Sequence, residues 1–132
     1  MKYGLDTSVI LRIITGEPAE LAHKVDTRIA EIIANGDEVE ISELPVSEAY
    51  YSLQHFYGMT KEKAIIGLRA LADEDGFSFS PEAEAALATP DAWRASPGLV
   101  DRMIANGYAS HGHKTLSCEK DFRKLDFTEV IS

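Results

Sequence analysis

The sequence has very little cysteine and no long apolar run. Its single cysteine, Cys118, excludes an intramolecular disulfide, which is the usual condition of proteins in a reducing compartment. No stretch approaches the length of a membrane span, and the apolar segment near the N-terminus is interrupted by Asp6 and Arg12. We therefore expect a cytoplasmic protein with no signal peptide and no membrane association.

Basic residues are also scarce. Lysine and arginine number 13 against 22 aspartates and glutamates, so the formal net charge is −9. This balance argues against a free-standing protein that binds duplex DNA by neutralising phosphates. The acids are spread over helical-looking segments, with a local excess at residues 72–84, and most of them are expected to form solvated surfaces.

Short strands alternate with amphipathic helices along the chain. The length of 132 residues and the 45% hydrophobic content predict one domain, residues 1–132, with one sizeable core. Apolar spacing predicts strands at residues 2–5, 38–42, 77–79, 114–118 and 127–131. It predicts helices at residues 7–15, 18–35, 45–57 and 60–73, one from Pro81 that ends before Pro90, and one introduced by Ser96 as cap and Pro97 as first helical residue. The expected fold is α/β, with a short central parallel sheet of four to five strands and helices on both faces.

Two acidic positions follow predicted strands. Asp6 ends the first strand, and ligands of open α/β sheets collect at the carboxyl ends of the strands. Asp6 is also a good N-cap for the helix at residues 7–15, and this structural interpretation is equally favoured. Glu119 follows the fourth strand and Asp121 lies two residues later, where either acid could simply begin a short helix.

Two further acids lie at the borders of helical apolar stripes. Glu48 is roughly 100° around the helix axis from Ala49, and Asp101 has the same relation to Val100. The alternatives are a solvated helix flank for Glu48 and a favourable acid in an early helical turn for Asp101. Considered together, the acids could gather at one end of a single sheet. Clustered carboxylates repel one another, and Mg²⁺ or Mn²⁺ would compensate that repulsion.

Three segments resemble a known family. "YGLDTSVILRII" is similar to the opening of a PIN domain, "ISELPVSEAYYSL" to its strand and following acidic helix, and "LVDRMIANGYASHGHKTLSCEKDF" to its third and fourth motifs. The resemblance extends from Lys2 to about Leu125, and in size the chain looks most like the VapC-type toxins of toxin–antitoxin pairs. It implies a PIN-like fold, a metal-dependent ribonuclease activity, a homodimer, and a small antitoxin protein as inhibitory partner.

The resemblance also implies a set of site residues. The acids carried over by position are Asp6, Glu48, Asp101 and Glu119, with Thr7, Ser8 and Ser117 as supporting hydroxyls. Asp6 and Asp101 would hold the principal Mg²⁺ or Mn²⁺, and Glu48 would ligate it or orient the attacking water. The chain departs from the family at one site, where the usual Thr-x-Asp is Ser117-Cys118-Glu119. Either Glu119, acting through water, or Asp121 would therefore complete an outer or second metal position.

Single-stranded RNA is the expected substrate, because its flexible backbone can enter a narrow acidic cleft. Phosphate contacts outside that cleft would come from six basic side chains: Lys61, Lys63, Lys114, Lys120, Arg123 and Lys124. The helices at residues 45–57 and 60–73 are expected to form part of a homodimer surface, and an antitoxin helix is expected to dock into apolar grooves near the acids.

Three other interpretations compete with the nuclease. His111, His113 and Cys118 could suggest zinc, but a paired Cys-x-x-Cys and a fourth ligand are missing. A catalytically impaired PIN-like module that binds RNA or a protein partner is the main alternative, and the Glu119 departure motivates it. A response-regulator receiver is disfavoured, since neither an early aspartate pair nor a phosphoacceptor aspartate after the third strand is evident.

Overall fold

The computed structural model describes all residues from Met1 to Ser132. The chain is divided into two compact units, residues 1–80 and residues 81–132. None of its helices combines the length and the apolar character that a membrane crossing requires.

The first unit is built on a parallel sheet of three short strands. In chain order its elements are β1 (Lys2–Gly4), α1 (Thr7–Thr15), α2 (Ala19–Ala34), β2 (Glu38–Ile41), α3 (Glu43–His55), α4 (Lys61–Ala72) and β3 (Phe77–Phe79). The strand order is β1-β2-β3, with Tyr3 opposite Val39 and Val39 opposite Phe77. Because the three strands are parallel, their carboxyl ends lie at the same edge of this sheet.

Local signals in the sequence explain where the helices of this unit begin and end. Gly16 ends α1 in the left-handed conformation at φ 66°, which glycine adopts without steric cost, and its N–H donates to the Arg12 carbonyl at 2.9 Å. Thr60 caps α4 by accepting a hydrogen bond from the Lys63 amide at 3.1 Å. The apolar stripes then meet in the core, where the fully buried large side chains include Ile10, Ile41, Leu53, Ile65 and Leu68.

One glycine in this unit is required by a close approach. Gly76 precedes β3 with φ +82°, and a Cβ atom at this position would lie 2.3 Å from Cδ1 of Ile33. Both the backbone conformation and the neighbouring side chain therefore favour glycine. The close approach joins the end of α2 to the segment between α4 and β3.

The second unit contains two helices and a two-stranded parallel sheet. Its elements are α5 (Pro81–Leu87), α6 (Leu99–Ser110), β4 (Thr115–Ser117), a 3₁₀ helix (Lys120–Lys124) and β5 (Thr128–Val130). Strands β4 and β5 pair with Thr115 opposite Thr128, and α5 packs against α6. The α/β class and the parallel strands are thus confirmed, and the five strands are distributed between a sheet of three and a sheet of two.

Two predicted helix starts are wrong. Helix α3 begins at Glu43 and not at Pro45, because proline is tolerated within the first helical turn, where its missing N–H would have no partner. Helix α6 has Gly98 as its N-cap, so Ser96 is not the cap and Pro97 is not the first helical residue. The Ser96 hydroxyl is used elsewhere, donating to the Asp121 carboxylate at 2.7 Å.

Candidate active site

Asp6 lies at the carboxyl edge of the three-stranded sheet. It comes two residues after β1 and holds the N-cap position of α1, where its backbone carbonyl accepts from the amides of Val9 and Ile10 at 3.1 and 3.3 Å. Its side chain makes no capping bond and is exposed; Oδ2 accepts instead from Ser8 Oγ at 2.9 Å. Asp6 therefore serves as a cap through its backbone alone, and its carboxylate remains available to a ligand.

A second acid at this edge was missed by the sequence reasoning. Glu43 follows β2, and its carboxylate interacts with the hydroxyl of Ser80, the residue after β3. This interaction, together with the Glu43 backbone amide, lowers the pKa of Glu43 despite some burial. Ser80 Oγ is buried and makes no hydrogen bond of regular geometry. The rule that identified Asp6, an acid just after a strand, also points to Glu43.

Glu48 is placed on the exposed surface of α3. It lies between the buried residues Val46 and Ala49, and its own side chain is exposed. No hydrogen bond or ion pair holds its carboxylate. Glu48 thus adjoins the buried side of α3 with an exposed carboxylate, and its role in the site stays a prediction.

The structure brings Asp101 close to Asp121 in the second unit. Asp101 lies in the first turn of α6 and is half-buried; Asp121 is half-buried in the 3₁₀ helix. Burial raises the pKa of Asp101, and the negative charge of Asp121 raises it further. Ser96 Oγ holds Asp121 Oδ2 at 2.7 Å. A carboxylate whose pKa is raised by burial and by a neighbouring negative charge is one that a bound cation would stabilise in its charged form.

Glu119 is less constrained than Asp121. It is exposed at the N-cap of the 3₁₀ helix, and its backbone N–H donates to Ser117 Oγ at 3.0 Å. Ser117 is the last residue of β4, so its hydroxyl shapes the turn that follows the strand. Of the two acids after β4, Asp121 is the one whose charge acts on Asp101.

Within either unit, no metal centre is formed by three or more ligand side chains, the candidate acids included. His111 and His113 stack with ring centroids 5.9 Å apart, and both are exposed together with Cys118. Neither unit by itself contains three or more histidine, cysteine, aspartate or glutamate side chains grouped around a possible ion position. The six basic residues expected to contact phosphate are all exposed.

Comparison with known proteins gives a family and a weak structural likeness. No curated protein matches the chain significantly. The chain is distantly similar to a solved structure of VapBC2 from Rickettsia felis bound to a DNA fragment from its promoter, with 14% identity, a TM-score of 0.41, and coverage of 99% of this chain and 98% of that one. The family model described as "PIN domain" matches residues 3–128, nearly the whole chain. The chain belongs to the PIN domain family.

Proposed function

We propose that this protein is a metal-dependent endoribonuclease, and the observation that carries this proposal is the PIN domain match over residues 3–128. PIN domains are generally nucleases that depend on divalent metal ions. The matched range contains every acid that the motifs assign to the site: Asp6, Glu48, Asp101, Glu119 and Asp121.

The donor set fits a hard dication. Carboxylate oxygens are the ligands that Mg²⁺ and Mn²⁺ prefer, and a bound cation would offset the burial and the Asp121 charge that raise the pKa of Asp101. Asp6 and Asp101 would hold the principal ion, and Asp121 or Glu119 an outer or second position. When bound, such an ion lowers the pKa of coordinated water and neutralises charge on the phosphate.

The chain's own groups would orient the reactants. Ser8 donates to the Asp6 carboxylate and Ser96 to that of Asp121, and each hydrogen bond would reduce the conformational entropy that its acid loses on binding a ligand. Glu48 would ligate the ion or orient the attacking water. Single-stranded RNA is the proposed substrate, and exposed lysines and arginines such as Lys120 and Arg123 would contact phosphates outside the proposed metal site.

The test is cleavage of a fluorescently labelled single-stranded RNA by the purified chain. We expect cleavage in Mg²⁺ or Mn²⁺, its loss in EDTA, and its return when metal is added in excess. Asp6→Asn should lower the rate at least about tenfold, because one charged oxygen ligand is lost. Asp126→Asn, a matched change at an exposed aspartate outside the motifs, should leave the rate within about twofold. Equal cleavage by Asp6→Asn and wild type would reject the assignment of Asp6.

The alternative is a catalytically impaired PIN-like module that binds RNA or a protein partner. It is motivated by Glu119, which stands where the family usually has aspartate and lies exposed at the start of the 3₁₀ helix. The same assay separates the two functions. RNA retention on a filter without cleavage in either metal would favour the binding module.

We also propose that the nuclease is the toxin of a toxin–antitoxin pair. Support comes from the VapC-like motifs and from the exposed apolar side chains of α3, Leu44 and Tyr51, which are 67% and 56% accessible and suit a homodimer surface. Co-expression with the product of the adjacent reading frame should yield a stable complex in which RNA cleavage is inhibited. Light scattering on the free chain should give the mass of a dimer. Absence of both binding and inhibition would remove the toxin assignment and leave the nuclease.

A further inference from the structure

Two exposed histidines lie side by side at the end of α6, and the proposed nuclease makes no use of either. His111 is the C-cap of α6, and His113 follows two residues later, shortly before strand β4. Their rings stack with centroids 5.9 Å apart and an interplanar angle of 30°. Both side chains are accessible to water. Two imidazoles held in this way can share one ligand.

The turn that carries the two histidines is held by backbone hydrogen bonds. The amides of His111 and His113 both donate to the Tyr108 carbonyl, at 3.0 and 2.9 Å. The Gly112 amide donates to the Ala109 carbonyl at 2.9 Å. Gly112 lies between the histidines at φ +74°, a conformation that glycine adopts without steric cost. A preformed turn therefore presents both rings, which lowers the entropy that they would lose on binding one ion.

The hydrogen bonds of His111 decide which of its ring nitrogens is open to a ligand. Nδ1 lies 3.0 Å from the Gly107 carbonyl oxygen, which can only accept, so Nδ1 carries the proton of the neutral ring. Ser110 Oγ donates to the same carbonyl at 2.7 Å and lies 3.3 Å from Nδ1. The lone pair of the neutral ring is therefore on Nε2. Metal-bound histidines usually have this arrangement, because a carbonyl on the opposite nitrogen fixes the tautomer and the ring orientation.

The spacing of the rings and the local field both suit a metal ion that prefers nitrogen ligands. An ion about 2.1 Å from a ring nitrogen lies about 3.2 Å from that ring's centroid, so two rings can share it at centroid separations up to about 6.4 Å. The observed separation of 5.9 Å is within this limit. The pair also lies at the carboxyl end of α6, where the negative end of the helix dipole favours a cation and disfavours a phosphate group.

We propose that His111 and His113 bind one dication of the Zn²⁺, Ni²⁺ and Cu²⁺ group through one nitrogen of each ring, with water completing the coordination. Imidazole suits these ions, whereas Mg²⁺ and Mn²⁺ prefer the oxygen ligands that the candidate acids supply. The chain would thus carry a second metal site with a different selectivity. This inference is independent of the proposed nuclease activity.

The first test is calorimetric titration of the full chain with Ni²⁺ in excess Mg²⁺, which occupies carboxylate sites. We expect one Ni²⁺ per chain at the histidine pair. His111→Ala and His113→Ala should each weaken binding at least about tenfold, because each removes one of the two nitrogen ligands. His23→Ala, the same change at an exposed histidine of α2, should alter the affinity less than about twofold. No saturable binding by the wild type, or equal affinities of all four proteins, would overturn the inference.

A spectroscopic signature identifies the ligands directly. With one equivalent of Cu²⁺, electron paramagnetic resonance of the wild type should show splitting from two nitrogen ligands. His113→Ala should reduce this to one nitrogen, and His23→Ala should leave the wild-type spectrum unchanged. A wild-type spectrum with oxygen ligands alone would overturn the assignment of the histidine pair. A stoichiometry of one ion for two chains would overturn the completion by water, since a second copy would then supply the remaining ligands.

Discussion

Replacing Asp101 by asparagine is expected to lower the rate of RNA cleavage at least about a hundredfold, which corresponds to a loss of about 2.7 kcal/mol of transition-state stabilisation. Asp101 is half-buried and already repelled by Asp121, so its charge acts on a bound cation with less screening than that of an exposed acid. The measurement is the initial rate on single-stranded RNA at saturating Mn²⁺. Asp126→Asn again supplies the matched control, and a rate within twofold of wild type for Asp101→Asn would remove this residue from the proposed site.

The same substitution should stabilise the fold. A loss of cleavage in a more stable protein would then come from the lost metal ligand and not from unfolding. Burial and Asp121 raise the pKa of Asp101, so the folded chain binds this proton more tightly than the unfolded chain does. The protonated Asp101 carboxyl group therefore stabilises the fold at low pH, and this contribution is lost as the pH rises through the range just above 3.8, the ordinary pKa of the group. At neutral pH the charged form is unfavourable. Without metal, Asp101→Asn should raise the free energy of unfolding at pH 7 by less than about 1 kcal/mol, since solvent screens a half-exposed group. The gain should disappear below the ordinary aspartate pKa.

Asp121 and Glu119 can be compared in the same assay. Because Asp121 acts on Asp101 and is held by Ser96, Asp121→Asn is expected to slow cleavage more than Glu119→Gln. A larger loss of cleavage in Glu119→Gln would assign the outer or second metal position to Glu119, as the family motif suggests. Either result decides between the two acids that the sequence left open.

Much of the fold was predictable because its signals are local. The isoleucines of α1 and the leucines of α4 repeat at helical spacing. Gly16 ends α1 and Thr60 begins α4, each through a signal that lies within a single turn. Helix ends near proline were less predictable. Ser96 does not cap α6, whose N-cap is Gly98, and its hydroxyl donates to Asp121, 25 residues away, a contact that no local pattern reveals.

The candidate site was predictable as a set of residues but not as a set of contacts. Position after a strand identified Asp6, and the same rule applied to β2 would have identified Glu43. That Asp121 rather than Glu119 acts on Asp101 follows from the 3₁₀ helix after β4, which turns Asp121 inward and leaves Glu119 exposed. A difference of two residues in a short turn cannot be inferred from composition or periodicity.

Leu53→Ala is expected to be the most destabilising of the variants considered, at about 2–5 kcal/mol. Leu53 is fully buried on α3, which packs against α1 and α4, so truncation removes apolar contacts and leaves a cavity among three helices. Leu21→Ala is the matched control, the same change on α2 at a side chain that is 44% exposed; it should cost less than about 1 kcal/mol. Urea unfolding followed by circular dichroism measures both.

Since Glu48 is exposed while Leu53 is buried, cleavage per folded molecule should survive in Leu53→Ala, so activity should fall only as the folded fraction falls. Equal stabilities of the two variants would contradict the packing of α3 described above.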